Sequence, residues 1–557
     1  MRRFLLCLTL LVIAIGVVVL HDRFLIAVHA QDQLPGLPYP LPQFPDVLPA
    51  WFPQVWSQSL LSPRPVAVAP DAATATRGIF SPGPEVVTRP VALGSPLSPP
   101  AVIPQFFQVS DPTGFISTFT PGGAVPTANN AFFSSLGSNG RRCDSCHSPQ
   151  AGWAMNPALA QATFQETQGQ DPLFAPVDGS NCPNLGAAAQ TLAQKAVASS
   201  ELLTKGNIRV FLPIPANAQF TVSILNDPYG CESSTAFGLP TGVISMYRRV
   251  MNNANLTRNA QNGLPQGTIM WDGREPTLQS QFLDATLGHA QATTPPTSAQ
   301  IAQGVAFETG FFSAQEVDNQ AGSLSTAPVT GGSVHLSQIG PANTPAGDIP
   351  NSFNQFPRWA LSTNPAQASI NRGETIFNTR TFVMTGVAGF NDVASPVVPN
   401  PPAAATITCS TCHNNRDVGS DAFVGALHLG IGDNSSTQLN GPQATATALP
   451  PTADLPLFAF FCPVNSIPFF SNPVTINGQI FDEYETTDPG KGLISGKCAD
   501  LGKFKVPRLN GLAARAPYFH NGNAASLTQL VNFYNTRFNM GLSAQDQQDL
   551  INFLNAI

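Results

Sequence analysis

Cys143-Asp144-Ser145-Cys146-His147 and Cys409-Ser410-Thr411-Cys412-His413 repeat one pattern, Cys-x-x-Cys-His, in two distant parts of the chain. Two thiols three positions apart can both add across the vinyl groups of one haem, and the adjacent imidazole then reaches the iron as axial ligand. A thioredoxin-like redox pair or half of a zinc site would not require a His directly after the second Cys, and neither explains that residue twice. The pattern therefore predicts two covalent haem c groups, on Cys143, Cys146 and His147 and on Cys409, Cys412 and His413.

Composition sets the frame around these sites. At 557 residues, the chain has room for two or three domains with real cores. Its net charge of −7, with only 11% charged residues, supplies no basic stripe, which argues against nucleic acid as a partner. Residues 1–30 read as an export signal: Arg2 and Arg3 lead the apolar run Phe4 to Leu20, and Val28-His29-Ala30 offers a cleavage site. An uncleaved signal that tethers the protein to the inner membrane is the alternative. Either reading places the protein outside the cytoplasm, as a periplasmic or exported protein. With Cys7 left in the signal and four thiols on haem, Cys182, Cys231, Cys462 and Cys498 remain. An even remainder in an exported chain suggests two disulfides. One pair follows each haem motif, so Cys182–Cys231 with Cys462–Cys498 is the economical pairing, with two other pairings and free thiols open.

Residues 31–125 form a Pro-rich extension. Gln31 to Pro126 holds 20 of the 53 prolines, which favours extended, polyproline-like backbone. A first haem domain is expected over 126–350 and a second over 351–557. Ala131-Phe132-Phe133 with Leu136 precedes the first motif, and Ser369 to Phe377 precedes the second, each reading as a short helix. Ser526 with Gln529 reads as a capping box ahead of Leu527, Leu530, Val531 and Tyr534, and Ser543 caps a last helix whose Leu550 and Leu554 share a face. The abundance of Pro and Gly predicts few or short strands. The expected fold is mainly α: two tandem haem domains that resemble cytochrome c folds, with long loops.

Further motifs narrow the family. Trp271-Asp272-Gly273-Arg274 lies between the haem motifs and is followed by Leu278 and Gln281; Phe504-Lys505-Val506-Pro507 leads to Ala516-Pro517-Tyr518-Phe519-His520-Asn521-Gly522. This combination resembles the bacterial dihaem cytochrome c peroxidase family. Its relatives include the dihaem enzyme that matures the tryptophan-derived quinone of methylamine dehydrogenase, and the dihaem rubber oxygenase. The resemblance is dense around Ala131–His147, Trp271–Gln281 and Arg372–Ile557. It implies that the haem on His147 meets hydrogen peroxide, and that the haem on His413 takes electrons from a small redox donor such as a monohaem cytochrome c or a cupredoxin. It also implies that Trp271 couples the two haems. A Ca²⁺ between the domains is implied as well, near Asn255 and the carbonyls around Arg515 and Pro517; a homodimer is left open.

The sequence departs from the family pattern at three places. No His lies between Ser148 and Thr163, where Met155 is the single soft ligand, so an open sixth position on the first iron is expected. The family's proton-transfer pair is Gln then Glu; Gln281 fits the first, but the second position is Gln291, which cannot titrate. His289 becomes the acid–base candidate, with Glu308 as a further one. On the second haem, Tyr534 stands where the peroxidases place a Met; His520 competes as distal ligand and Met540 is a weaker choice. Reduction of hydrogen peroxide is the first functional reading. An oxidase or oxygenase that uses O₂ or peroxide on an organic or protein substrate is the second, and a non-enzymatic dihaem electron carrier the third.

Overall fold

The computed structural model describes residues 100–232, 242–256, 269–339, 352–393, 402–413, 415, 425–431 and 453–557. Residues 1–99, which hold the expected export signal and most of the Pro-rich extension, lie outside the described residues.

The mainly α expectation is overturned. The described residues are 33% helix and 22% strand, spread over several sheets, so the fold is mixed α/β. Prolines here end strands instead of excluding them. Leu457-Phe-Ala-Phe-Phe-Cys-Pro463 is a short apolar run closed by Pro, and it forms a strand with five consecutive buried residues. Gln479 to Thr486 alternates in burial along its inner half, as a strand with one covered face does.

Strands β1 (Phe106–Asp111) and β2 (Gly114–Phe119) form a hairpin. Asp111 Oδ1 closes its turn by accepting from the backbone N–H groups of Thr113 and Gly114, at 2.8 and 3.0 Å. Helix α1 (Pro157–Thr167) and the short helix α2 (Ser200–Lys205) follow the first haem motif. Strand β3 (Asn207–Pro213) leads to β4 (Thr221–Asn226) and β5 (Val243–Arg249), and β3 pairs with β5 as a two-stranded ribbon. Helices α3 (Leu278–Gly288) and α4 (Ser298–Glu308) then precede β6 (Phe312–Asp318), which pairs with β2. Residues 106–119, within the Pro-rich stretch, thus share a sheet with the first haem region. Gly114 permits the approach, since a Cβ there would lie 1.9 Å from the Val317 carbonyl oxygen.

The second haem region opens with α5 (Pro365–Thr379) and closes with α6 (Leu527–Arg537) and α7 (Ala544–Asn555). Ser526 and Ser543 cap the last two helices by accepting from the N–H groups of Gln529 and Asp546. Helix α7 lies across α5 at Gly373, where a Cβ would meet the Asp549 carbonyl oxygen at 2.0 Å. Asp549 fastens the crossing by accepting from Ser369 and Arg372. Between these helices, β7 (Leu457–Pro463), β8 (Pro473–Ile476) and β9 (Gln479–Thr486) form a sheet in the order β8-β9-β7-β4. Its fourth strand comes from the first half of the chain, with Phe460 opposite Val222. Val222, Met246, Phe458, Phe460 and Tyr484 form one buried core across the halves.

Candidate haem cavities and the residues between them

Each Cys-x-x-Cys-His segment opens onto its own cavity. The first cavity encloses about 1040 Å³ and the second about 1620 Å³, solvent mouths included. None of the thiols of Cys143, Cys146, Cys409 and Cys412 is in a disulfide, whereas Cys182 is joined to Cys231 and Cys462 to Cys498.

At the first motif, Cys143–Ser145 is a single tight turn; the Ser145 hydroxyl accepts from the Arg142 N–H, and the His147 N–H donates to the Cys143 carbonyl. The chain then doubles back through Trp153, whose φ is +59°. This brings the Trp153 carbonyl to 3.2 Å from His147 Nδ1, which fixes the tautomer and leaves Nε2 for the cavity. Burial pushes the His147 imidazole down to about 4, which keeps it in the neutral, ligating form. Cys143, Cys146 and His147 all line one cavity, so these side chains fit a haem held in the expected way.

Gln281, Ala285 and His289 fall on one stripe of α3, at four-residue spacing, and face that cavity. The Thr277 hydroxyl sets the start of the helix by accepting from Ser280 N–H, and Leu278 and Phe282 anchor it in a buried apolar cluster. His289 Nδ1 touches the Asp178 carboxylate, which in turn pairs with the Arg141 guanidinium. Arg141 is buried, and it also donates to the carbonyls of Pro172, Leu173 and Ala175. Burial, with Arg141 and Arg274 nearby, holds the His289 ring neutral and pushes it down to about 3. The Asp178 carboxylate holds Nδ1 and so orients the imidazole. Nδ1–H donates to Asp178, and Nε2 is left as a base. Gln291 does not line the cavity; its amide oxygen accepts from Asn139 at 3.3 Å. Glu308, at the end of α4, does line it, and burial raises its carboxyl to about 7. Met155 lies in the core with Ala160 and Phe164.

Trp271 lines both cavities, as does Arg249. The indole Nε1 donates to the Arg249 carbonyl at 2.8 Å, and the Trp271 carbonyl accepts from Lys505 N–H at 2.9 Å. Asp272 accepts from Arg248 and Arg274, while Arg248 also pairs with Asp488. Arg248, Asp272 and Asp488 are buried and Arg274 is half-buried, and their mutual pairing fixes the Trp-Asp-Gly-Arg segment between the cavities.

The second cavity is lined by Cys409, Cys412, His413, Tyr534 and Met540. Burial next to the two thiols pushes the Tyr534 phenol well above its ordinary range. His520 does not line this cavity. Its ring stacks on Phe504 at 3.9 Å, lies 6.3 Å from the Trp271 ring and has Nε2 3.8 Å from Asp488. Asn255, expected near a Ca²⁺, has its amide engaged by the Ser313 backbone at both ends.

Sequence reasoning missed Asp178, Arg141, Arg248 and Arg249. The doublets Arg141-Arg142 and Arg248-Arg249 were visible signals in a chain with only 26 Lys and Arg. Asp178, 111 positions from His289, gave none.

No family model matches the chain. Among curated proteins, it is 32% identical over 157 residues to the cytochrome-c peroxidase IdrP2 of Denitromonas iodatirespirans, covering 27% of this chain and 35% of that protein. It is 44% identical over 54 residues to the cytochrome c551 peroxidase of Nitrosomonas europaea, covering 9% of this chain and 16% of that one. The chain thus spans about a third or less of the length of these relatives. Among solved structures, a MauG-like protein associated with microbial copper homeostasis matches with 15% identity and a TM-score of 0.28, over 56% of this chain and 76% of that one. The resemblance carried by the motifs is therefore to named cytochrome-c peroxidases.

Proposed function

We propose that this chain is a dihaem c-type oxidoreductase that reduces hydrogen peroxide at the His147 motif, with electrons entering through the His413 motif. The observation that carries the reading is the pairing, in one cavity, of His147 with a neutral, Asp178-oriented His289 and Gln281. Haem on His147 would supply the redox-active iron at which the O–O bond is broken. The chain's own residues manage the protons. Reduction of H₂O₂ to two waters takes two electrons and two protons, and one proton must move from the near oxygen to the far one. His289 Nε2 accepts it as a base and returns it as an acid, while the Gln281 amide orients the peroxide. Trp271, against both cavities, provides the aromatic path for electrons.

The second reading, oxidation of an organic or protein substrate with O₂ or peroxide, is favoured by Tyr534 in the second cavity, because a phenolate ligand lowers the potential relative to Met. The test uses the purified holoprotein with peroxide and reduced monohaem cytochrome c or cupredoxin. Stoichiometric donor oxidation is expected. His289→Ala should slow it by about 10²–10⁴-fold, as for a lost acid–base group. Peroxide turnover that leaves both donors reduced while an organic substrate is oxidised would favour the second reading; no reaction with peroxide would leave an electron carrier.

A further inference from the structure

Arg249 ends β5 at the meeting point of the two haem regions, and only 5% of it is exposed. Its Nη2 donates to the carbonyls of Met155, at 2.6 Å, and Arg515, at 2.8 Å; its Nη1 donates to the carbonyl of Lys205. Three backbone carbonyls from three separate segments thus converge on one cationic group. The surroundings are shaped for it. A Cβ on Gly206, where φ is +65°, would come within 2.0 Å of Nη1, so a side chain there would push the guanidinium out of its present position. Backbone groups of the same residue complete the joint: its N–H donates to the His520 carbonyl at 2.6 Å, and its carbonyl receives the Trp271 indole N–H.

A cluster of carbonyls at this junction is what the family resemblance assigns to Ca²⁺, and the residues here do not fit that ion. The Arg515 carbonyl is taken by a guanidinium, and both ends of the Asn255 amide are taken by Ser313. The Arg515 guanidinium is a second positive charge close by, bonded to the Arg508 carbonyl. A divalent cation beside two guanidinium groups in a buried site would be strongly repelled.

We propose that the Arg249 side chain is the built-in cation of this junction, doing the work of an interdomain Ca²⁺: it ties the first haem region to the second and sets the position of Trp271 between them. The protein then needs no calcium to keep its two redox centres in register. A guanidinium suits the task, since its fork of fixed N–H donors can satisfy several carbonyls at once.

The test starts with the wild-type holoprotein, whose calcium content is measured after passage over a chelating resin. Its thermal unfolding and the rate of electron exchange between the haems are then followed with EDTA and with millimolar CaCl₂. Far less than one calcium per chain is expected, with neither readout moved by EDTA or calcium. Arg249→Asn should lower the unfolding midpoint and slow exchange. Because it leaves the three carbonyls facing an amide oxygen, added calcium should then raise the midpoint by several degrees, as for a ligand at about a hundred times its dissociation constant. One tightly held calcium per wild-type chain, whose removal lowers the midpoint, would overturn the proposal even if the variant fails to fold. So would a variant that is destabilised yet indifferent to calcium.

Discussion

His289 owes its usefulness to a residue it never approaches in sequence. In the proposed reaction one ring nitrogen of His289 must face the peroxide, and the Asp178 carboxylate holds the other and so orients the ring. Asp178 pairs with Arg141, a buried residue whose other donors are spent on backbone carbonyls. Asp178→Asn removes the charge that balances Arg141 and loosens control of the His289 tautomer. A buried ion pair broken on one side costs about 3–5 kcal/mol, so the variant should unfold at a lower temperature. In the surviving folded protein, kcat for peroxide should fall while KM stays near the wild-type value, and the pH profile of kcat should shift. A variant with lowered stability alone and an unchanged profile would reduce Asp178 to a structural role.

At the scale of elements, the crossing of α5 and α7 shows how one helix serves two purposes. Its Gly373 lets the helices touch, while the next residue, Glu374, turns inward to accept from the backbone N–H groups of Gln355 and Phe356. Burial raises this carboxyl from 4.5 to about 7, although the two N–H donors pull it down. The sign follows from linkage: the folded state holds this proton more tightly than the unfolded state does, so stability is lost as pH rises between about 4.5 and 7. Glu374→Gln keeps an acceptor and has no proton to lose. Its stability relative to wild type should therefore grow across that window, by up to about 3 kcal/mol, and level off above it. Denaturant unfolding of both proteins from pH 4.5 to 8 checks this; a constant difference would mean that Glu374 does not titrate there. The helix itself was legible, because caps and periodicity are local. The strands were misjudged for the same reason, since short apolar runs closed by Pro do not declare their partners.

At the scale of the molecule, β4 crosses from the first half of the chain to pair with β7 in the second. A protein cut to residues 351–557 would leave that edge of β7 open, with Phe458 and Phe460 deprived of their covering strand. Such a fragment is expected to self-associate and to lose cooperative unfolding, as read by size-exclusion chromatography and calorimetry. A monomeric fragment that melts like the whole chain would show that β4 contributes nothing. Trp271 and Arg249, both from the first half of the chain, line the second cavity as well as the first, so the two halves also meet at the cavities.

The sequence by itself determined the chemistry that depends on near neighbours. Cys-x-x-Cys-His places two thiols and an imidazole within five residues, and the caps at Ser526 and Ser543 act within one helical turn. Gln281 and His289 were named from the family pattern, and the structure put them on one cavity. Tertiary structure alone decided what those groups face: Asp178 against His289, Tyr534 and not His520 on the second cavity, and Arg249 among three distant carbonyls. Such pairings are set by chain packing, where burial strips away water and leaves each polar group dependent on whatever partner the fold supplies.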